Sequence, residues 1–254
     1  MKSITRTLRF IVFTLVEYAR SGRILVECLA TVVVFYLFFR RWTTPPPASY
    51  FFSTAGLFTL GLTFYSTSAM MGLGDRPQGY VLLVRRISRA SYLLGLYLAA
   101  LTITSALYGI TSIGMAIYNP VADLTLRGWL LGSLPLLLNA ALFGALLTLL
   151  APIVLTAGWR LAVLALVAIA FSGNLLGGQT VAAIPQVIAT GLSILRTIFS
   201  TPLLPAFTGF QLSVDRDYSG IHFLTPIAQL TLTLSLLSLA IYAFRRRDLI
   251  FSSS

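Results

Sequence analysis

The side chains able to do chemistry are few in this chain, and their spacing excludes most reactions. It holds one histidine (His222), one cysteine (Cys28), one lysine (Lys2) and seven carboxylates, against 18 basic residues in all. A lone histidine and a lone cysteine cannot supply the paired Cys and His ligands of a structural or catalytic zinc site, so no metal ligands are assigned. Cys28 reads as a small core residue and His222 as an interfacial one. A P-loop ends in Gly-Lys-Ser/Thr, and with Lys2 as the only lysine the chain cannot hold ATP that way. Neither a His-Glu-x-x-His pair nor a Gly-x-Ser-x-Gly elbow occurs, so no catalytic residue is assigned and the chain reads as a non-enzyme.

One carboxylate stands apart. Glu27 lies in an apolar run, four residues after Arg23, a spacing at which the two side chains pair on a helix. It reads as a paired charge at the membrane boundary. A functional intramembrane carboxylate is the alternative, since such groups mark pathways, but Glu27 stands close to the start of its run.

The elements that must position these residues are apolar. Hydrophobic residues make up 57% of the chain and charged residues 10%, with a mean hydropathy of +0.88, outside the range of a soluble domain. Six candidate spans run over 24–39, 50–73, 90–118, 128 to about 156, 161 to about 176 and 224–244, most near the roughly 20 residues a bilayer requires. Basic residues fill alternate gaps. The N-terminus, the gaps after spans two and four, and the C-terminus hold 13 of the 18, and the other gaps hold Arg40, Arg41, Arg127, Arg196 and Arg216. By the positive-inside rule, six spans then place both termini in the cytoplasm of a multi-pass protein of the plasma or inner membrane. The net charge of +11 is accordingly directed at anionic lipid rather than nucleic acid.

Residues 1–20 form an amphipathic interfacial helix. At 100° per residue, Ile4, Leu8, Ile11, Leu15 and Tyr18 share one arc, while Lys2, Arg6, Arg9, Glu17 and Arg20 share the opposite one, with Phe13 as an exception. A cleaved signal peptide is disfavoured because Glu17, Arg20 and Arg23 interrupt its apolar segment. Ser21-Gly22 allows a bend into the first span, and Pro45-Pro46-Pro47 forms a stiff external turn. The cytoplasmic segment 74–89 begins with turn residues, continues as an apolar half-helix and ends in Arg85, Arg86 and Arg89. The segment 172–222, broken by glycines and prolines, suits short helices dipping into the outer leaflet rather than one span. Within the spans, Asn139 and Gln229 line a pathway or bond helix to helix, and Phe51, Phe58 and Tyr65 form a substrate wall or pack.

The layout and local sequence together resemble the permease subunits of type-2 ABC exporters, the ABC-2 type transporter family. Arg86-Ile87-Ser88-Arg89 followed by Tyr92-Leu93-Leu94-Gly95-Leu96 is similar to that family's passage into its third span, with Arg86 in place of a proline and Leu96 in place of a lysine. Tyr242-Ala243-Phe244-Arg245-Arg246-Arg247-Asp248-Leu249 resembles its basic close. The resemblance implies an all-α membrane protein of six transmembrane helices in a single domain over 1–254, with an elbow helix at 1–20, a coupling loop at 74–89 and re-entrant helices at 172–222. It further implies a permease that forms half of a substrate pathway with a second copy or homologue, resting on a cytoplasmic ABC ATPase subunit. ATP and magnesium belong to that ATPase, and no cofactor to this chain. Asp75, Arg76, Gln78, Arg85, Arg86 and Arg89 are the implied coupling residues, and Arg6, Arg9, Glu17 and Arg20 those of the elbow helix. A non-transporting scaffold subunit is the alternative; the substrate is not legible.

Overall fold

A computed structural model describes residues 2–40, 45–74, 88–122, 124–171, 197 and 201–246. These are mainly helical, without a strand among the described residues. A chain in lipid must pair its own amides and carbonyls, which a helix does within one segment. The helices are α1 (Lys2–Arg20), α2 (Arg23–Val34), α3 (Ala48–Gly74), α4 (Arg89–Tyr118), α5 (Leu126–Leu149), α6 (Ala157–Phe171), α7 (Leu204–Asp215) and α8 (Thr225–Arg246). A π turn over Phe35–Phe39 extends α2, and short 3-10 turns at Thr201–Leu203 and His222–Leu224 precede α7 and α8.

The core is α3, α4, α5 and α8, with α7 wedged against α3, α5 and α8 at one end and α1 laid on α4 at the other. Small residues let the backbones approach. A methyl group at Gly132 of α5 would collide with the ring of Phe52, and one at Gly56 of α3 with the ring of Phe210. Buried hydroxyls on α3 satisfy themselves along the helix: Thr59 bonds to the Ala55 carbonyl at 2.6 Å and Thr63 to that of Thr59 at 2.7 Å.

Three described helices are long and apolar enough to cross a bilayer: α4, α5, and α8 with its leading turn, His222–Arg246. Counting the bent α1–α2 pair as one span makes four. The six expected spans therefore reduce to three or four by length and composition, for identifiable reasons. α3 has 27 residues, but its glycines, serines and threonines dilute its apolar character. α2 has only 12 before the π turn, and α6 has 15, the rest of its expected span lying outside the described residues.

The expected bend is present. α1 meets α2 at 75°, and Gly22 takes φ 75°, a left-handed conformation that only glycine adopts cheaply. Past Pro45–Pro47, α3 starts at Ala48, as a rigid stop requires. Within 172–222, the described part from Thr201 onward is a short helix that breaks at Arg216 before α8, so no continuous helix joins the two. Cys28 corrects the sequence reading. It is exposed, on the outward face of α2, because that face packs against no described helix; only Glu27, Thr31 and, in the π turn, Phe39 are buried.

Candidate functional site

The basic end of the bundle gathers the residues the sequence singles out. Asp75, Arg76, Gln78, Arg85 and Arg86 lie outside the described residues, but both flanks of their segment are fixed. On one flank, Tyr92 Oη donates to the carbonyl of Gly74, the last residue of α3, at 2.8 Å. On the other, Ser88 caps α4 by accepting from the Ser91 amide at 3.1 Å. Arg89 then reaches across the bundle, and its Nη1 donates to the Arg245 carbonyl at 3.0 Å and the Phe244 carbonyl at 3.4 Å. A cation on those carbonyls satisfies orphan acceptors and opposes the negative end of the α8 dipole. The single first turn of α4 thus ties together α3, α8 and the start and end of the basic segment.

α1 docks on the same turn. Phe10 stacks against Tyr92, with ring centroids 5.2 Å apart, and lies on Gly95, where a methyl group would strike its ring. Phe10, Thr14 and Tyr18 are buried, while Leu8, Val12, Phe13 and Val16 are exposed beside the exposed Arg9 and Arg20. The predicted apolar arc is therefore split. Ile11, Leu15 and Tyr18 pack against the α3–α4 core, and Leu8 with its neighbours Val12 and Val16 is exposed. Glu17 is half-buried, and Arg6 lies on the same helix.

Glu27 corrects the sequence reading. It does not pair with Arg23, whose Nη1 donates instead to the Ala69 carbonyl of α3 at 3.0 Å. Its Oε1 accepts from Tyr18 Oη of α1 at 2.9 Å and is hydrogen-bonded to Ser66 Oγ of α3. Helical spacing alone could not show this, because both partners come from other helices.

The opposite end is polar in its interior. Pro135 interrupts α5 and has no amide hydrogen, so the Leu131 carbonyl lacks its helical donor. Tyr218 Oη supplies one, at 2.6 Å. Gln229 Nε2 of α8 donates to the Pro135 carbonyl at 3.1 Å and to Asn139 Oδ1 at 2.7 Å, and Asn139 Nδ2 donates to the Ala206 carbonyl of α7 at 2.9 Å. A side chain at Gly209 would occupy the position of the Gln229 amide. Asn139 and Gln229 are thus helix-to-helix bonds, and Phe51 packs among Phe39, Phe52 and Trp129. Tyr218 was missed by sequence reasoning. A mid-helix proline calling for a donor was the available signal.

At the rim, Asp215, Asp217, His222, Thr208 and Gln211 line an open cleft of about 220 Å³. Asp217 Oδ1 accepts from the Ser219 amide at 2.9 Å, and that hydrogen bond holds its carboxyl below the usual range. No group of three or more metal-ligating side chains occurs among the described residues. Comparison with protein-family models, with curated proteins and with solved structures finds no match to this chain.

Proposed function

We propose that this chain is the transmembrane permease subunit of an ATP-driven exporter of the type-2 ABC class. It would form half of a substrate pathway with a second copy or homologue and couple to a separate cytoplasmic ABC ATPase. The observation that carries this reading is the frame around 75–87. Its flanks and the amphipathic α1 meet on the first turn of α4, and Arg89 links that turn to the end of α8. A push on the basic segment would therefore reach three core helices through short, stiff contacts, as a rigid-body switch requires. The fold analogy comes from the sequence resemblance, and function is argued from this frame.

Six crossings with both termini cytoplasmic belong to the same proposal and rest on the 13-to-5 split of basic residues. In a Cys28→Ser background, an impermeant thiol reagent added outside intact cells should label cysteines placed at positions 46 and 217 and spare position 79. Labelling at 79 overturns the topology.

The test of function is purification in mild detergent, followed by ATP hydrolysis of the reconstituted complex. An ATPase should copurify, and Arg85→Glu or Arg86→Glu should lower transport and substrate-stimulated hydrolysis while membrane insertion stays intact. Absence of any bound ATPase would favour a scaffold subunit.

A further inference from the structure

Glu27 lies where α1, α2 and α3 meet, and only 1% of its surface is exposed. Both hydroxyls that reach it, Tyr18 Oη and Ser66 Oγ, converge on Oε1. Oε2 is buried with no hydrogen-bond partner among the described residues. Among the described residues, the charged or titratable groups around it are Tyr18 from α1, Arg23 from α2 and, beside Tyr18, Tyr65 from α3. Arg23, the one cation among them, is engaged with the Ala69 carbonyl.

An ionised carboxylate with one oxygen bare in a buried site is strongly disfavoured. The neutral acid fits the same geometry. The carboxyl then carries no charge, Tyr18 Oη and Ser66 Oγ keep their contacts to Oε1, and a neutral oxygen at Oε2 with one missing bond is far less costly than a bare anionic one.

We propose that Glu27 is a proton-binding site that latches the amphipathic helix: the carboxyl is protonated while α1 is docked, and loss of the proton releases α1. The proton leaves to water at the exposed Ser21 turn. The carboxylate then draws Arg23, one helical turn away, from the Ala69 carbonyl, so the bonds that join α1 and α3 through this carboxyl are exchanged for an ion pair within α2. The proton site stands on this geometry; only a role in transport would rest on the exporter reading.

The test uses the full chain in lipid nanodiscs with no ATPase present, so its outcome is independent of whether an ATPase partner exists. At neutral pH the infrared spectrum should contain a protonated-carboxyl carbonyl band that Glu27→Gln removes. Glu27→Gln should keep the wild-type melting midpoint, and Glu27→Ala and Tyr18→Phe should lower it. For release, Thr14→Cys in a Cys28→Ser background places a thiol on the buried face of α1. Its labelling rate, divided by that of the same protein carrying Glu27→Gln, should rise on the order of tenfold per pH unit, the slope of a one-proton equilibrium. No band lost in Glu27→Gln, or Glu27→Gln as destabilising as Glu27→Ala, overturns the proton site. A ratio flat with pH overturns the latch.

Discussion

At the basic end of the bundle, a ring lies on a glycine and one arginine crosses to cap a helix; at the opposite end, side-chain amides and a phenol occupy main-chain acceptors. The ring-on-glycine contact can part and reform without itself leaving a polar group unsatisfied. Lifting Phe10 from Gly95 adds apolar surface to a helix that already exposes Leu8, Val12 and Val16. The second kind parts at a cost, because releasing Gln229 strands buried polar atoms on both sides and releasing Tyr218 strips the Leu131 carbonyl of its donor. The molecule thus separates an end held by apolar packing and one arginine from an end held by interhelical hydrogen bonds.

The largest expected effect comes from placing one methyl group at each end. Gly209→Ala should expel the Gln229 amide, breaking its bonds to Pro135 and Asn139 and overfilling the α7–α8 contact. Interhelical bonds in membranes average about 0.6 kcal/mol and overpacking about 1–3, so the loss should be about 2–3 kcal/mol in denaturant unfolding from detergent. Gly95→Ala should lose less than half as much, since α1 can lift while the core stays intact. Equal losses would break the comparison.

A smaller effect, about 1 kcal/mol, tests the reason for the fixed junction. Tyr218→Phe removes the only donor seen for the Leu131 carbonyl among the described residues. In a Pro135→Ala background, the restored amide can take that role, and Tyr218→Phe should become nearly neutral. The double-mutant cycle measures the coupling directly, and additive losses would show that Tyr218 acts elsewhere.

Legibility in the sequence followed the range of the interaction. The Gly22 bend, the proline stop before Ala48, the amphipathic α1 and the breaks around α7 were all readable, because each is set by residues adjacent in the chain. The Ser66 partner of Glu27 and the donor for Leu131 were not, because they arrive from residues 39 and 87 positions away, and Tyr18, nine positions from Glu27, reaches it only across the Gly22 bend. The pairing of Arg23 with Glu27 failed for the same reason: helical spacing permits the contact, but the α3 carbonyl competes for the arginine and wins. Cys28 went astray because hydropathy reports which residues avoid water and does not separate a lipid-facing position from a core one.

Arg89 ranks third. As a cation on the last carbonyls of α8, it should contribute about 0.3–1 kcal/mol, so Arg89→Gln should cost about 0.5 kcal/mol and speed amide exchange in the last turn of α8. An effect as large as that of Gly209→Ala would mean that the basic end is fixed too, and the contrast between the ends would fail.

The smallest effect is confined to the rim, at Asp217. Its carboxyl is held below the usual range by the Ser219 amide, so the turn gains order from ionised Asp217. For a lowered carboxyl, that contribution is present above the unfolded value, about 3.9, and is lost as pH falls through the lower folded value. The Ser219 amide resonance should therefore shift below about pH 4. In Asp217→Asn, the side-chain carbonyl still accepts and nothing titrates, so that resonance should stay in place. Tyr218, next in the chain, decides what the acid change means. Its hydroxyl should keep its bond to Leu131 through the transition, because that bond is anchored by the carbonyl Pro135 leaves open and not by the turn. If Tyr218 instead comes free when Asp217 is protonated, the junction is held from its exposed rim, and the distinction between a fixed end and a detachable one is lost.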